Sequence, residues 1–216
     1  MAKVLPMPDL VEAMSKLSPS VPGSLESLFR LAHDVLKRNI SGDFVECGVR
    51  DGGSAGILAG ALRSSKNRKL WLYDSFQGLP APSIFDGEEA KKYEGKAKGS
   101  VESVWQSMET AGMPKDRVVL REGWFKDTFK QPIPSDIALL HIDCDWHNSV
   151  LLTLEYLYPK MRWGGVVILD DFGYWEGCRR AFYYFIKEKD IMPLVGRYGH
   201  SALWWQVGKW HNRDTH

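Results

Sequence analysis

Leu25, Leu28, Phe29, Leu31, Ala32, Val35 and Leu36 recur three and four positions apart, which predicts an amphipathic helix over residues 24–39 packed against a core. Beyond it the pattern changes to short apolar runs at 43–49, 69–73, 117–120, 137–142 and 165–169. Each run stops at polar or glycine residues, as buried strands do. A glycine turn at 52–56 leads into a helical stretch at 57–63, and further helical stretches lie at 149–158 and 177–187. Strands alternating with helices predict an open α/β fold, a mostly parallel Rossmann-like sheet with helices on both faces. Residues 192–195, a turn at Tyr198-Gly199-His200, and 202–207 read as a terminal antiparallel hairpin, which a plain dinucleotide-binding fold does not require.

Residues 80–100 break the rhythm. They carry no clean periodicity and are rich in glycine, proline and lysine. A loop of that length in a compact domain reads either as a mobile substrate lid or as disorder. The whole chain, 216 residues with 44% hydrophobic content, fits one domain, with residues 1–41 as an N-terminal helical or lid region.

Charge removes some functions. Lys and Arg total 28 against 27 Asp and Glu, a net +1 that offers no footprint for a phosphate backbone, so nucleic acid is not an expected partner. Cys47, Cys144 and Cys178 are odd in number and lack metal-finger spacing, which suits ordinary thiols in a reduced compartment. The first residues, Met1 to Pro6, lack a signal-type apolar core, and no apolar stretch is long enough to span a bilayer. The expected location is cytoplasmic, away from membranes.

In a parallel open sheet, ligands gather outside the C-terminal strand ends. Gly48, Gly52 and Gly53 follow the first strand and let backbone approach a ligand closely. Asp74 ends the second strand about 20 residues further on, a distance suited to gripping ribose hydroxyls. A tight turn and a solvent-facing Asp would give the same pattern, so this motif names no cofactor.

The acids at the fourth and fifth strand ends say more. Asp143 and Asp145 are two apart, so in continued extended geometry they share one face while Cys144 points away. Asp170 and Asp171 would bring four carboxylates together. Such a group must take up protons or bind a cation, and all-oxygen donors favour Mg²⁺, Ca²⁺ or Mn²⁺ over zinc, with Mg²⁺ preferred because it keeps open positions. The competing reading is helix caps and solvated strand ends. His147 can move a proton or simply cap a helix, whereas His141, inside an apolar strand, reads as structural. Trp124, Trp146 and Trp175 fall just past strand ends, where they can flank adenine or substrate. Trp71, Trp163, Trp204 and Trp205 are expected in the core.

Several of these blocks occur in a familiar order. They are Gly42-Asp43-Phe44-Val45-Glu46-Cys47-Gly48-Val49 with Gly52-Gly53, Tyr73-Asp74-Ser75-Phe76-Gln77-Gly78-Leu79-Pro80, and Glu122-Gly123-Trp124-Phe125-Lys126-Asp127-Thr128. Leu140-His141-Ile142-Asp143-Cys144-Asp145, Leu157-Tyr158-Pro159-Lys160, and Gly164 through Gly173 with Gly177-Cys178-Arg179 follow. From about Gly42 to Arg180 the chain resembles the macrocin O-methyltransferase family, whose members methylate sugar hydroxyls on macrolide and aminocoumarin antibiotics.

The resemblance implies a class I methyltransferase fold with S-adenosylmethionine as donor and Mg²⁺ as metal. It puts Glu46 and Gly48 at the methionine end, with Gly52, Gly53 and Ser54 in the adjoining turn. Asp74 binds the ribose with Ser75 beside it, Gly123 and Trp124 lie near adenine, and Asp143 also borders the cofactor. Asp143, Asp170 and Asp171 hold Mg²⁺. Asp145 matches the general base, with His147 or His141 next in line. The expected acceptor is a hydroxylated, glycosylated small molecule, while the oligomeric state is left open, a homo-oligomer being one possibility. Arg50-Asp51 stands where members often carry Trp-Arg, and the region before Gly42 is shorter, differences that bear on the acceptor pocket and oligomer contacts.

Three other readings compete. A catechol-type methyltransferase usually has Asn as third metal ligand and a Lys base three positions after the first Asp, where this chain has Asp171 and Trp146. A nicotinamide dehydrogenase would use the glycine turn and Asp74 but leave the paired acids without a role. A non-catalytic ligand-binding domain would keep the fold without turnover.

Overall fold

The computed structural model describes residues 5–18 and 22–208; Met1 to Val4, residues 19–21 and the C-terminal stretch from Lys209 to His216 lie outside the described residues. The helices are α1 (Met7–Leu17), α2 (Pro22–Lys37), α3 (Gly53–Leu62), α4 (Val101–Ala111), α5 (Phe125–Thr128), α6 (His147–Leu157) and α7 (Glu176–Glu188). The strands are β1 (Asp43–Cys47), β2 (Leu70–Asp74), β3 (Val118–Glu122), β4 (Ile137–Ile142), β5 (Met161–Leu169), β6 (Val195–Tyr198) and β7 (Ala202–Gln206).

These strands form one seven-stranded sheet in the order β3-β2-β1-β4-β5-β7-β6. The first five are parallel, and β7 runs antiparallel to both β5 and β6. The class I methyltransferase architecture expected above is therefore the one observed. Because successive side chains alternate across a strand, one face of the sheet carries Phe44, Leu70, Leu72, Leu139, Val166 and Ile168 under α1 to α4. The other carries Val45, Tyr73, Leu140, Val167 and Leu169 under α6 and α7. The order reverses between β1 and β4, and the switch point there opens toward the C-terminal strand ends.

Several elements differ from the periodicity reading. Helix α3 starts at Gly53, so the glycine-rich stretch is its first turn rather than a loop before it, and every residue of this helix is buried. Helix α1 was hidden by its proline-containing start. Its Leu10 and Met14 sit so close to α3 that a Cβ at Gly60 would lie 2.2 Å from Leu10 and one at Gly56 2.0 Å from Met14. Helix α4 was missed although its signals are local: the Ser100 hydroxyl accepts from the Ser103 N–H at its start, and Gly112 ends it. Trp163, expected in the core, is 67% exposed on β5, whereas Trp205 is fully buried.

For residues 80–100, the disorder alternative gives way to a packed loop. Leu79 donates to the Lys96 carbonyl and accepts from the Gly95 N–H, both at 2.8 Å, which closes the loop at its base. Buried Asp86 takes the His147 N–H at the start of α6 (2.6 Å), and the Trp146 indole donates to the Pro80 carbonyl (2.8 Å). Among the described residues, no helix is long and apolar enough to cross a membrane.

Candidate functional site

A cavity of about 560 Å³ opens at the C-terminal strand ends. That volume lies within the range of roughly 300–1,000 Å³ typical of small-molecule sites. One side is built by the turn after β1 and the ends of β2 and β3. The Asp74 carboxylate accepts from the Val49 and Arg50 N–H groups at 2.7 and 2.8 Å and from the Phe76 N–H at 2.7 Å. It thereby pins the turn to β2, using three of about four acceptor positions and leaving room for one further donor.

Gly48 sits at φ +87°, and a Cβ there would lie 1.7 Å from the Asp143 carbonyl oxygen. Only glycine lets the ends of β1 and β4 approach this closely. Gly48→Ala is expected to cost roughly 3 kcal/mol or more, from left-handed strain plus the clash. Chemical denaturation would measure it, and an unchanged midpoint would show that the two strand ends can part without penalty.

The other side holds the acids. Oxygens of Asp143, Asp170 and Asp171 all lie within 4.8 Å of one another. Asp145 stands apart from that trio, because the extended geometry expected after β4 does not continue: Asp145 adopts φ +56°. Its N–H donates to Asp171 Oδ2 (3.1 Å), and its own Oδ1 accepts from the Trp175 indole N–H at 2.6 Å. The four carboxylates thus divide into a cluster of three and a neighbour held by a tryptophan.

Electrostatics follow from this crowding. Burial, then the charge of Asp170, pushes Asp143 well above the usual carboxylate range. Burial, then the charges of Asp145 and Asp143, does the same to Asp171. Asp145 is raised to about 6 by burial, against the lowering effect of the Trp175 hydrogen bond. Oxygen-only donors that are costly to ionise together form a set that a hard divalent cation would satisfy.

The sign of the pH effect follows. Groups whose folded pKa exceeds the unfolded value of 3.8 favour the fold at low pH and cease to do so as pH rises through the raised values. Ion-free protein is therefore expected to melt at a lower temperature at pH 8 than at pH 6. A divalent cation, were the trio to hold one, would recover more of the loss at pH 8, where it competes with fewer protons. Thermal melts with and without chelator check this; an ion-free melting temperature that rises with pH would contradict the crowding argument.

Gly48, Ser54, Asp74, Ser75, Gly123, Trp124, Asp143, Asp145 and Asp171 all line the cavity. Gly52 and Gly53 lie behind it, where α3 begins, and Asp170 backs the cluster without lining the cavity. Two further candidate residues lie outside the cavity wall. Glu46 is fully buried behind the wall rather than facing the cavity, and its Oε1 accepts from His141 Nδ1 at 2.8 Å. His147 is buried outside the cavity, its ring tilted against Phe85 with centroids 4.4 Å apart, because Asp86 holds its backbone in the cap of α6.

The tryptophans also separate. Trp124 lines the cavity, Trp146 is core, and Trp175 serves Asp145. Arg50, singled out in the sequence only as a departure from the family pattern, lines the cavity, and sequence reasoning missed Asn148, Ser149 and Leu152 from the first turns of α6. The helical spacing of 148, 149 and 152, directly after the Asp143 block, was a usable signal.

The macrocin O-methyltransferase family (TylF) matches residues 22–207. The chain is 31% identical to a demethyldecarbamoylnovobiocin O-methyltransferase of Streptomyces niveus, over 84% of this chain and 72% of that protein. It is also 31% identical to an 8-demethyl-8-(2,3-dimethoxy-alpha-L-rhamnosyl)-tetracenomycin-C 4'-O-methyltransferase of Streptomyces olivaceus, covering 87% and 77% of the two chains. Among solved structures, the O-methyltransferase NovP superposes with a TM-score of 0.80 at 29% identity, covering 88% of this chain and 81% of that one.

Proposed function

The chain belongs to the macrocin O-methyltransferase family and is an S-adenosylmethionine-dependent O-methyltransferase, and from that premise we propose that it methylates a sugar hydroxyl on a natural product with the aid of Mg²⁺. One observation carries the reading: the glycine turn with Asp74 and the acids Asp143, Asp145 and Asp171 open onto a single cavity. Donor and acceptor ends are thereby set side by side. The sugar acceptor is supported by the tetracenomycin-C relative, whose name specifies a rhamnosyl group.

Gly48, Ser54, Asp74, Ser75 and Trp124 are assigned to the donor. Gly48 brings bare backbone to the ligand, and the remaining acceptor position of Asp74 suits a ribose hydroxyl. Trp124 supplies a flat apolar surface for the base. Asp143, Asp170 and Asp171 are assigned to the ion, which when bound would supply Lewis acidity that lowers the pKa of an acceptor hydroxyl.

Methyl transfer breaks the carbon–sulfur bond, forms a carbon–oxygen bond and sends the hydroxyl proton to a base. Asp145 is assigned that proton. It lines the cavity next to the ion cluster without belonging to it, and Trp175 fixes its carboxylate through Oδ1. Charge on the sulfonium disappears as the methyl leaves, so exclusion of water favours the step. Leu79, Pro80 and Ala97 of the 80–100 loop region supply a cavity wall, and we assign that loop to covering the acceptor.

Isothermal titration with S-adenosylmethionine, followed by turnover assays on glycosylated acceptors with Mg²⁺ or chelator, tests the reading. Micromolar donor binding and chelator-sensitive methylation of a sugar hydroxyl are expected. Methylation of simple catechols but no glycosylated acceptor would replace the sugar assignment, and full turnover in chelator would remove the metal.

A further inference from the structure

We propose that His141, held by Glu46, is a positioning residue that sets the Asp170 carboxylate for the divalent ion. The inference rests on the metal assignment above and concerns residues outside the cavity.

Strand register brings the three together. Glu46 of β1 pairs with His141 of β4, which pairs with Ile168 of β5, so these three form a row across one face of the sheet. Asp170 lies two residues beyond Ile168, at the mouth of the same strand. A carboxylate and a histidine in the middle of an otherwise apolar sheet face are costly to bury unless paired. Here they are paired: Glu46 Oε1 is 2.8 Å from His141 Nδ1, with side-chain exposures of 0% and 2%.

The second ring nitrogen is buried and faces Asp170. His141 Nε2 has no hydrogen-bond partner among the described residues and points toward Asp170 Oδ1 at 3.7 Å, too long for a direct hydrogen bond but within electrostatic reach. The ring thus links a carboxylate fixed in the core to one at the ion cluster, the arrangement by which outer residues orient metal ligands.

This assignment gives Glu46 a different task from donor binding, and the two are separable. Glu46→Gln keeps side-chain volume while removing the charge, and His141→Gln keeps a donor for Glu46 while removing the nitrogen that faces Asp170. Mn²⁺ binding followed by electron paramagnetic resonance and S-adenosylmethionine binding followed by calorimetry are the readouts. Each variant is expected to bind Mn²⁺ roughly 10- to 100-fold more weakly. Donor affinity should stay within about twofold. The double variant should bind Mn²⁺ no more weakly than His141→Gln alone, because both residues act through one chain; a merely structural effect would accumulate. If His141→Gln does not fold, the isosteric Glu46→Gln decides alone. Unchanged Mn²⁺ affinity, or a loss confined to donor affinity, would overturn the positioning role while leaving the metal assignment standing. Failure of the wild-type protein to bind Mn²⁺ would instead remove that assignment and this inference with it.

Discussion

Asp145→Asn is expected to keep donor and divalent-ion binding while lowering turnover by roughly 10²- to 10⁴-fold, the range associated with a positioned general base. The substitution is nearly isosteric, and asparagine tolerates the left-handed backbone conformation that Asp145 adopts at φ +56°. Its amide oxygen can still accept from the Trp175 indole, so the local structure should persist. What disappears is the ability to take a proton. Asp145 also lies outside the trio whose oxygens fall within 4.8 Å, so ion affinity should change little. Single-turnover kinetics with saturating donor would isolate the chemical step. Near-normal turnover would transfer the base to another group, and His147 is poorly placed to inherit the role because it is buried outside the cavity against Phe85.

The second large effect is at Asp143. Asp143→Asn removes one charge from the cluster and is expected to lower turnover by roughly 10³-fold, since the Lewis acid contribution assigned to this site is worth several kcal/mol. The same change should raise the melting temperature of ion-free protein, because Asp143 is a partly buried acid whose ionisation is opposed by burial and by Asp170. Opposite signs for activity and stability are the signature of a site whose repulsion is tolerated for function. Thermal melts with and without Mg²⁺, alongside turnover, provide the check. A variant that is both active and stabilised by Mg²⁺ as the wild type is would show that Asp143 holds no ion.

Both expectations use residues found by pattern alone, yet their separate roles were not visible there. The spacing of Asp143 and Asp145 implied a shared face, and that inference failed because it assumed β geometry one turn too far. The backbone turns at Asp145 where the Asp171 carboxylate captures its N–H, a contact between residues 26 positions apart. Glu46 shows the same limit from the other side. Its place in the block after Gly42 suggested a donor contact, but alternation along β1 puts it on the face with Phe44, under the helices and against His141.

Periodicity and punctuation therefore determined a good deal: the alternating strands and helices, the antiparallel ending and the strand-end location of the chemistry, while the family was reached only by the resemblance of ordered motif blocks. These are legible because side-chain period and turn preference depend on residues a few positions apart. Helix α1 against Gly56 and Gly60, the packed loop anchored by Asp86, the division of four acids into a trio and a base candidate, and the Glu46–His141–Asp170 row were decided only by tertiary structure. Each depends on register between strands or on contact between distant segments, and those are set when the hydrophobic faces close on one another, not by any local run of residues.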